Sequence, residues 1–298
     1  MSPVSEHDQK RGTLGILAGR GPLPLAVADA AASQGRAVFI VGIKGRTDAG
    51  IERHPHTWVR YGALGQTLAR LKQAECRELI LIGPIDRPRL FQFWPDWGAI
   101  KVLPDLLKLL RQGDDGLLSG VVAYFEKEHG FLIRPAEDVA AELTAPVGLQ
   151  TRNAPKDQDM ADLKLAIEIV RAHGAEDLGQ GAVVAGGVEL AREASDGTDA
   201  MLKRVAVMRV NADARAEREA PRRTGVLLKL PKPGQERRVD LPTIGVLTVE
   251  NAAKAGLAGI AYEADGTLIA DHKAVVERAN ELDLFVLGLP AGTSEGQV

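Results

Sequence analysis

An α/β fold with two domains is predicted by three features of the sequence. Short apolar runs alternate with segments of helical spacing between Thr13 and Ile82, a pattern typical of parallel strands joined by helices. Glycine turns follow the first and the last of these runs, where open α/β sheets carry their ligand loops. A stretch rich in Pro, Gly, Thr and Asn then precedes a second set of strands and helices. We therefore expect a doubly wound, Rossmann-like domain over 13–143, a linker over 144–156 and a second, mixed α/β domain over 157–290, with a ligand cleft between the domains.

The composition narrows the class of protein. The chain has 298 residues, of which 45% are hydrophobic and 26% charged, so it is long enough for two cores. A formal net charge of −3 gives no basic field, and we expect no nucleic-acid partner. The one cysteine, Cys76, excludes an intramolecular disulfide and is expected to be a small buried side chain near a helix end. No apolar run reaches the roughly 18 residues of a spanning helix, so we expect a cytoplasmic protein with a disordered extension at 1–12 and a tail at 291–298.

The first glycine turn, GRGPLP at 19–24, joins the strand predicted at Thr13–Ala18 to a helical segment. This order directs backbone N–H groups and a helix N-terminus towards an anionic ligand. Pro24 stands where a dinucleotide fingerprint has its third glycine, and the strand at Ala37–Val41 is followed by no carboxylate for a ribose hydroxyl. The turn therefore predicts a phosphate or sugar cradle other than a standard NAD site, with a plain tight turn as the alternative; its candidate residues are Gly19 and Gly21.

A second glycine turn, at 83–88, follows the apolar strand predicted at Leu79–Ile82. The carboxyl ends of parallel strands share one edge, so Gly19 and Gly83 are expected to face one crevice. Arg87 is a candidate for a phosphate or sugar contact, or else a surface arginine that caps a helix. The aromatic patch beyond it predicts either an acyl or ring pocket or a packed lid over the sheet, and it comprises Phe91, Phe93, Trp94 and Trp97.

Apolar spacing predicts the remaining elements. Helices are expected over 64–75, 100–111, 115–127, 157–172, 200–205, 251–255 and 273–282. Strands are expected over 57–61, 182–185, 188–191, 226–230, 243–248, 259–262 and 285–289, and a strand with a short helix over 131–142. Asp114 and Asp271 are predicted N-caps, and Gly186 with Gly187 is predicted to form a hairpin turn. The charge-rich segment 212–223 is expected to be a mobile surface segment.

Glu193 begins a seven-residue segment, EASDGTD, which holds three carboxylates and two hydroxyls. Oxygen ligands at this density suit a hard divalent cation or a sugar. Glu193 and Asp196 are therefore candidate metal ligands, and Thr198 and Asp199 are candidate substrate contacts. The alternative is structural: Asp196 begins a turn, and Thr198 or Asp199 is the N-cap of the next helix.

The stretch 227–245 has three prolines and several charged residues between two apolar runs. Pro231 and Pro233 fix φ near −65° and remove backbone donors, so we expect a stiff connection that can aim its side chains. Asp240, just before Leu241-Pro242, is placed to bind a metal or to accept a proton. The alternative is a solvated charged loop. The cations that offer phosphate-sized donors are Lys229, Lys232, Arg237 and Arg238.

Short motifs recur in a fixed order from about Leu14 to Leu289. They are GILAGRGPLP, RP at 87–88, KVLP, GDDGLL, FEKE, GQGAVV, DGTDAML, KLPKP and RVDLPTIG. In this order the motifs resemble those of the UDP-2,3-diacylglucosamine pyrophosphatases of lipid A biosynthesis in Gram-negative bacteria, specifically those that are not of the calcineurin-like phosphoesterase type.

The resemblance implies hydrolysis of UDP-2,3-diacylglucosamine to UMP and 2,3-diacylglucosamine 1-phosphate with a divalent cation, Mg²⁺ first and Mn²⁺ as the alternative. It implies a homodimer, a lipid-linked UDP-sugar bound between two domains, and transient contact with the cytoplasmic face of the inner membrane. The catalytic aspartate of the RVDLPTIG motif is here Asp240. We expect Lys229 and Arg238 to assist it, and Asp240, Glu193 and Asp196 to hold the metal. The expected substrate-binding residues are Gly19, Gly21, Arg87, Gln180, Gly181, Thr198, Asp199, Lys232 and Thr243.

Two other classes of function fit parts of the sequence. A nucleotide-sugar or NADP-dependent oxidoreductase would use the glycine turn at 19–24, with Lys44 or Arg46 near a 2′-phosphate. A non-catalytic sensor of a nucleotide sugar or lipid would bind without turnover. Release of UMP in the presence of a metal separates the hydrolase from both.

Overall fold

The computed structural model describes residues 12–84, 114–215 and 223–297. The chain divides into two compact units, which are Met1–Ala141 with Glu236–Asp240, and Glu142–Gln235 with Leu241–Val298. The predictions for the extension at 1–11, for Arg87, for the aromatic patch at 91–97, for the helix at 100–111 and for 216–222 lie outside the described residues.

The first unit contains a sheet in which every pair of neighbouring strands is parallel. The strand order is β3-β2-β1-β4-β5. The strands are β1 (Thr13–Ala18), β2 (Val38–Ile43), β3 (His56–Val59), β4 (Cys76–Ile82) and β5 (Leu132–Ile133). The helices are α1 (Leu23–Ser33), α2 (Leu64–Gln73) and α3 (Asp114–Ala123). Alternating strands and helices thus form the parallel sheet that their spacing predicts, and the α/β class is confirmed.

Two features of the first unit depend on burial. Cys76 is buried and opens β4 just after α2 ends at Gln73, so the small buried side chain predicted near a helix end is confirmed. Burial raises the pKa of its thiol to about 11. The continuous helix predicted over 115–127 is wrong, because α3 ends at Ala123 and a π-helical turn follows over Tyr124–Glu128. The wider turn brings Phe125 into the core, where its ring packs edge-on against Phe131.

The second unit contains a six-stranded mixed sheet and a separate pair of short parallel strands. The order in the large sheet is β6-β13-β11-β9-β7-β8, and β9, β11 and β13 are mutually parallel. The strands are β6 (Gly148–Leu149), β7 (Gly181–Ala185), β8 (Val188–Arg192), β9 (Val226–Lys229), β10 (Thr243–Ile244), β11 (Gly259–Glu263), β12 (Leu268–Ile269) and β13 (Phe285–Leu289). The helices are α4 (Asp157–Ala175), α5 (Gly197–Arg215), α6 (Val246–Lys254) and α7 (His272–Glu281).

Local turn chemistry predicts several of these elements well. Gly186 and Gly187 both have positive φ and join the antiparallel strands β7 and β8, as a two-residue hairpin requires. The Asp271 side chain accepts a hydrogen bond from the Ala274 N–H and caps α7. The predicted hairpin turn and the predicted N-cap at Asp271 are therefore confirmed.

Two predictions in the second unit are wrong. The strand expected over 243–248 ends at Ile244, because α6 begins at Val246 and the Thr248 hydroxyl accepts a hydrogen bond from the Gly245 N–H. The helix expected over 200–205 is much longer and spans Gly197–Arg215, so its last turn takes in the start of the charged segment. Across 12–84, 114–215 and 223–297, no helix is both long enough and apolar enough to cross a membrane.

Candidate active site

The two glycine turns of the first unit pack directly against each other. A Cβ atom at Gly19 would lie 2.1 Å from the carbonyl oxygen of Gly83, so both turns require glycine to approach this closely. The Gly19 N–H donates to the carbonyl of Ile82 at 2.8 Å, and the Arg20 N–H donates to that of Pro84 at 3.0 Å. The N–H groups of Gly19 and Arg20 therefore hold the two turns together.

The Gly21 N–H is also bonded within the protein. It donates to a carboxylate oxygen of Asp48 at 2.8 Å. The loop that carries Asp48 is tied to the end of β1, because the Thr47 hydroxyl donates to the carbonyl of Ala18. Pro24, in the first turn of α1, has no N–H to offer. A phosphate at this turn would have to displace the Asp48 carboxylate, and the substrate-binding role of Gly19 and Gly21 stays a prediction.

The segment Glu236–Asp240 belongs to the first unit although its neighbours in sequence belong to the second. The N–H groups of Val239 and Asp240 donate to the carbonyl of Glu236 at 3.0 and 3.1 Å, which forms a tight turn. Val239 packs against the core formed by β2, β4 and α2. Half-buried Asp240, the predicted catalytic residue, thus follows a turn that is anchored on the first sheet.

Arg238, in the same turn, is held by two carboxylates. It donates to both oxygens of Glu236 at 2.8 and 2.7 Å, and to an oxygen of Glu126 at 2.7 Å. The hydrogen bonds that Arg238 donates to Glu236 and Glu126, together with the negative charges of these two carboxylates, raise the pKa of Arg238, and Arg238 lowers the pKa of Glu236. The Arg238 charge is therefore already compensated in this arrangement, and its contact with phosphate stays a prediction.

In the second unit, a buried lysine marks the end of β9. Lys229 is 4% exposed, and its ammonium donates to the carbonyl of Thr243 at 3.2 Å. Lys229 lies opposite Gly181 in the antiparallel pairing of β9 with β7. The Glu193 N–H donates to the carbonyl of Gly181 at 2.8 Å. Lys229, Gly181 and Glu193 are therefore brought together at one end of this sheet.

Glu193 has a carboxylate oxygen without a partner. The residue is 7% exposed, and one of its oxygens accepts a hydrogen bond from the Thr198 hydroxyl at 2.7 Å. The other, Oε2, is buried with no hydrogen-bond partner among the residues that the structure describes. A Cβ at Gly181 would lie 3.0 Å from this oxygen, so glycine keeps the space beside it open. A buried acceptor without a bond is costly, which suggests that Oε2 is reserved for a ligand, an ion or a water molecule.

The other predicted residues of the second unit have varied surroundings. Exposed Asp196 forms an ion pair with Arg204, and Asp199 accepts a hydrogen bond from the Asn251 amide at 2.8 Å. Lys232 forms an ion pair with Asp177. The side chain of Gln180 accepts a hydrogen bond from Gln235 at 3.3 Å, and the Thr243 hydroxyl donates to the carbonyl of Leu241 at 3.3 Å.

Sequence reasoning assigned no role to three of the residues that support this site. Asn251 holds Asp199, and buried His173 contacts the Glu193 carbonyl through Nε2 at 2.8 Å. Glu126 holds Arg238 from 112 positions away in the chain. Glu126 lies in the FEKE motif, so the motif order drew attention to this segment. Nothing in the sequence indicated that Glu126 pairs with Arg238.

The predicted metal ligands do not form a cluster within either unit. Glu193 and Asp196 belong to the second unit and Asp240 is grouped with the first. Among the described residues there is no set of three His, Cys, Asp or Glu side chains that could hold a metal ion. Oε2 of Glu193 has the hard-oxygen chemistry of a Mg²⁺ ligand, but the residues that the structure describes do not complete a coordination shell around it. Metal binding by these three carboxylates stays a prediction.

The comparisons with known proteins cover both units. Two family models match the chain, the LpxI N-terminal domain over residues 13–143 and the LpxI C-terminal domain over residues 146–287. The chain is 44% identical over 276 residues to the UDP-2,3-diacylglucosamine pyrophosphatase LpxI of Caulobacter vibrioides, an alignment that covers 93% of this chain and 97% of that relative. The chain therefore belongs to the LpxI family.

Proposed function

We propose that this protein hydrolyses the pyrophosphate bond of UDP-2,3-diacylglucosamine in lipid A biosynthesis. The observation that carries the proposal is the 44% identity to a relative of that name, which extends over nearly the whole length of both chains. In the reaction, the oxygen of water bonds to one phosphorus, the bridging P–O bond breaks, and water loses a proton. Attack on either phosphorus gives the same products, UMP and 2,3-diacylglucosamine 1-phosphate.

The residues of the chain supply complementary parts of this chemistry. Asp240 would accept the proton of the attacking water, or else would be one of the residues that hold a divalent cation. The buried ammonium of Lys229 offsets phosphate charge in a place shielded from water, where a charge acts more strongly than in bulk solvent. A divalent cation, Mg²⁺ or else Mn²⁺, would add charge neutralisation when bound. Oε2 of Glu193, a buried carboxylate oxygen with no hydrogen-bond partner among the described residues, would contact that cation or a sugar hydroxyl.

Further parts of the proposal concern the setting of the reaction. The strand order β3-β2-β1-β4-β5 supports a Rossmann-like first domain. A place outside the calcineurin-like type rests on the resemblance of the ordered motifs. The homodimer, the interdomain cleft, and transient contact with the cytoplasmic face of the inner membrane rest on the resemblance and on the two acyl chains of the substrate.

The test is release of UMP from UDP-2,3-diacylglucosamine with and without Mg²⁺. We expect Asp240→Asn to lower kcat by several orders of magnitude while substrate still binds, because the amide neither accepts a proton nor holds a cation well. Glu277→Gln, at an exposed carboxylate on α7, is the matched control and should keep ordinary activity. Near-normal turnover by Asp240→Asn would sink its assignment, and no release by the unmodified protein would sink the proposed function.

The same assay tests the alternatives. A sensor would bind the substrate without releasing UMP, and an oxidoreductase would change the absorbance of a nicotinamide cofactor. The bond between Gly21 and Asp48 disfavours the oxidoreductase, because the carboxylate occupies a donor that a dinucleotide phosphate would need.

A further inference from the structure

The first unit contains an apolar cavity of about 190 Å³ near the carboxyl ends of its central strands. Leu17 of β1 is in register with Val41 of β2 and with Leu81 of β4, so these three side chains form one row across the same face of the sheet. Val121 of α3 and Phe125 of the π-helical turn also line the cavity. The register of the sheet thus creates a continuous apolar floor.

The lining offers almost nothing to a polar ligand. Among its described residues, the side chains with polar atoms are Thr67 and Arg60. The Thr67 hydroxyl donates to the carbonyl of Ala63 at 3.0 Å, and Arg60 is exposed. A uracil ring, a sugar or a phosphate needs several fixed hydrogen-bonding partners, which this lining does not supply.

Among the residues that the structure describes, the floor is incompletely covered for its place in the sheet. β1 and β4 are inner strands, yet Leu17 and Leu81 are only half-buried, as is Val121 above them. Apolar side chains at the centre of a sheet are normally shielded from water, and leaving them open forgoes hydrophobic stabilisation. An apolar ligand would restore the missing cover.

The cavity also lies beside the segment that carries Asp240. Phe125 lines the cavity, and the next residue, Glu126, accepts the hydrogen bond from Arg238 at 2.7 Å. Val239 packs against the same core cluster as Leu17 and Leu81. One turn of helix therefore contacts both the cavity and the segment of the predicted catalytic residue.

We propose that this cavity binds an acyl chain of the substrate and so sets the preference for chain length. The inference rests on the proposed function. The acyl chains are the part of that substrate that needs no hydrogen-bonding partners along most of their length. Each methylene group that enters should improve binding about fourfold. Filling the cavity should therefore weaken the binding of substrates with long acyl chains more than that of substrates with short ones.

The experiment compares UDP-2,3-dimyristoylglucosamine with UDP-2,3-dibutyrylglucosamine in the same detergent. Val121→Phe and Leu81→Phe fill the cavity, and Leu132→Phe, on an exposed strand position of the same unit, is the matched control. We expect kcat/KM for the dimyristoyl substrate to fall at least about tenfold in the two filled variants, as the loss of two or more methylene contacts implies. For the dibutyryl substrate, kcat/KM should change by less than about twofold in all three variants.

Three outcomes decide the inference. An equal loss on both substrates, or no loss on either, in variants that keep the wild-type Tm overturns it. If the phenylalanine variants unfold, Val121→Leu, which adds a single methylene group, gives the same comparison with a smaller expected change. If the unmodified protein releases no UMP, the proposed function fails. Binding of labelled 2,3-dimyristoylglucosamine 1-phosphate to the same variants then decides whether the cavity binds an acyl chain. Weaker binding by the filled variants supports the inference, and unchanged binding overturns it.

Discussion

The described residues at the carboxyl ends of the parallel strands differ in chemistry between the two large sheets. In the first unit the described residues at this end line an apolar cavity, and the N–H groups of Gly19 and Gly21 donate within the protein. In the second unit, β9 ends at buried Lys229, and Glu193 adds a carboxylate oxygen with no hydrogen-bond partner among the residues described. Strand order alone therefore does not identify the end of a sheet that handles charge, because the side chains at the last strand positions decide it.

Glycine has a different role at each of these ends. At Gly19 the missing Cβ lets one backbone turn pack closely against another. The N–H groups of Gly19 and Arg20 then donate to carbonyls of the protein rather than to a ligand. At Gly181 the missing Cβ leaves room beside Oε2 of Glu193. A glycine turn therefore indicates a close approach, and the group that approaches determines whether the turn binds a ligand.

The largest effect that would sharpen this comparison is expected at Lys229. Lys229→Met keeps much of the volume and removes the charge, so kcat for UMP release should fall by about 10² to 10³ if the second sheet end stabilises phosphate charge. Lys254→Met, at an exposed position at the end of α6, is the control for loss of a lysine in the same unit. Activity of Lys229→Met within about twofold of wild type, with an unchanged Tm, would remove the contrast between the two sheet ends.

Glu193→Gln should separate stability from activity. The substitution removes a buried charge whose Oε2 has no partner among the described residues, so Tm is expected to stay the same or rise while UMP release falls at least about tenfold. Thermal unfolding and initial rates on the same preparation provide the measurement. Parallel losses of Tm and activity would instead indicate that Glu193 serves the fold through its bond with Thr198.

A smaller effect is expected from Glu236, which supports the Asp240 segment on the first unit. Arg238 lowers the pKa of the Glu236 carboxyl below the value of about 4.3 that it has in the unfolded chain. The stabilisation of the fold by the ionised Glu236 is therefore fully present above about pH 4.3. The contribution is lost as pH falls through the lowered pKa of the folded state. Urea unfolding should therefore show Glu236→Gln less stable than wild type at neutral pH, with the gap closing in acid. A gap that is constant with pH would show that the ion pair does not contribute.

The smallest effect is expected at Asp48. Asp48→Ala frees the Gly21 N–H. We expect KM for the substrate to change by less than about twofold, because the neighbouring N–H groups of the two glycine turns are already bonded within the protein. The loss of one exposed hydrogen bond should cost about 1 kcal/mol of stability. A clear fall in KM would mean that phosphate competes with Asp48 for this turn, and both sheet ends would then bind charged groups.

The sequence predicted most strongly those features that short-range chemistry controls. Alternating apolar runs predicted the strands of the first sheet, two glycines predicted the hairpin at 186–187, and Asp271 predicted the start of α7. Prediction from the sequence was wrong where a local pattern fits a strand and a helix equally well. The apolar residues after Ile244 suit a strand as well as a helix, and the capping bond between Gly245 and Thr248 selects the helix.

The sequence by itself determined the α/β class, the course of most strands and helices, and the order of motifs that resembles one family. The tertiary structure alone decided that the turn before Asp240 is grouped with the first unit, that Glu126 holds Arg238, and that Asp48 occupies the donor of Gly21. Backbone propensity and apolar period act over a few residues, so a sequence displays them directly. Contacts between distant side chains depend on strand register and burial, which exist only once the chain has folded.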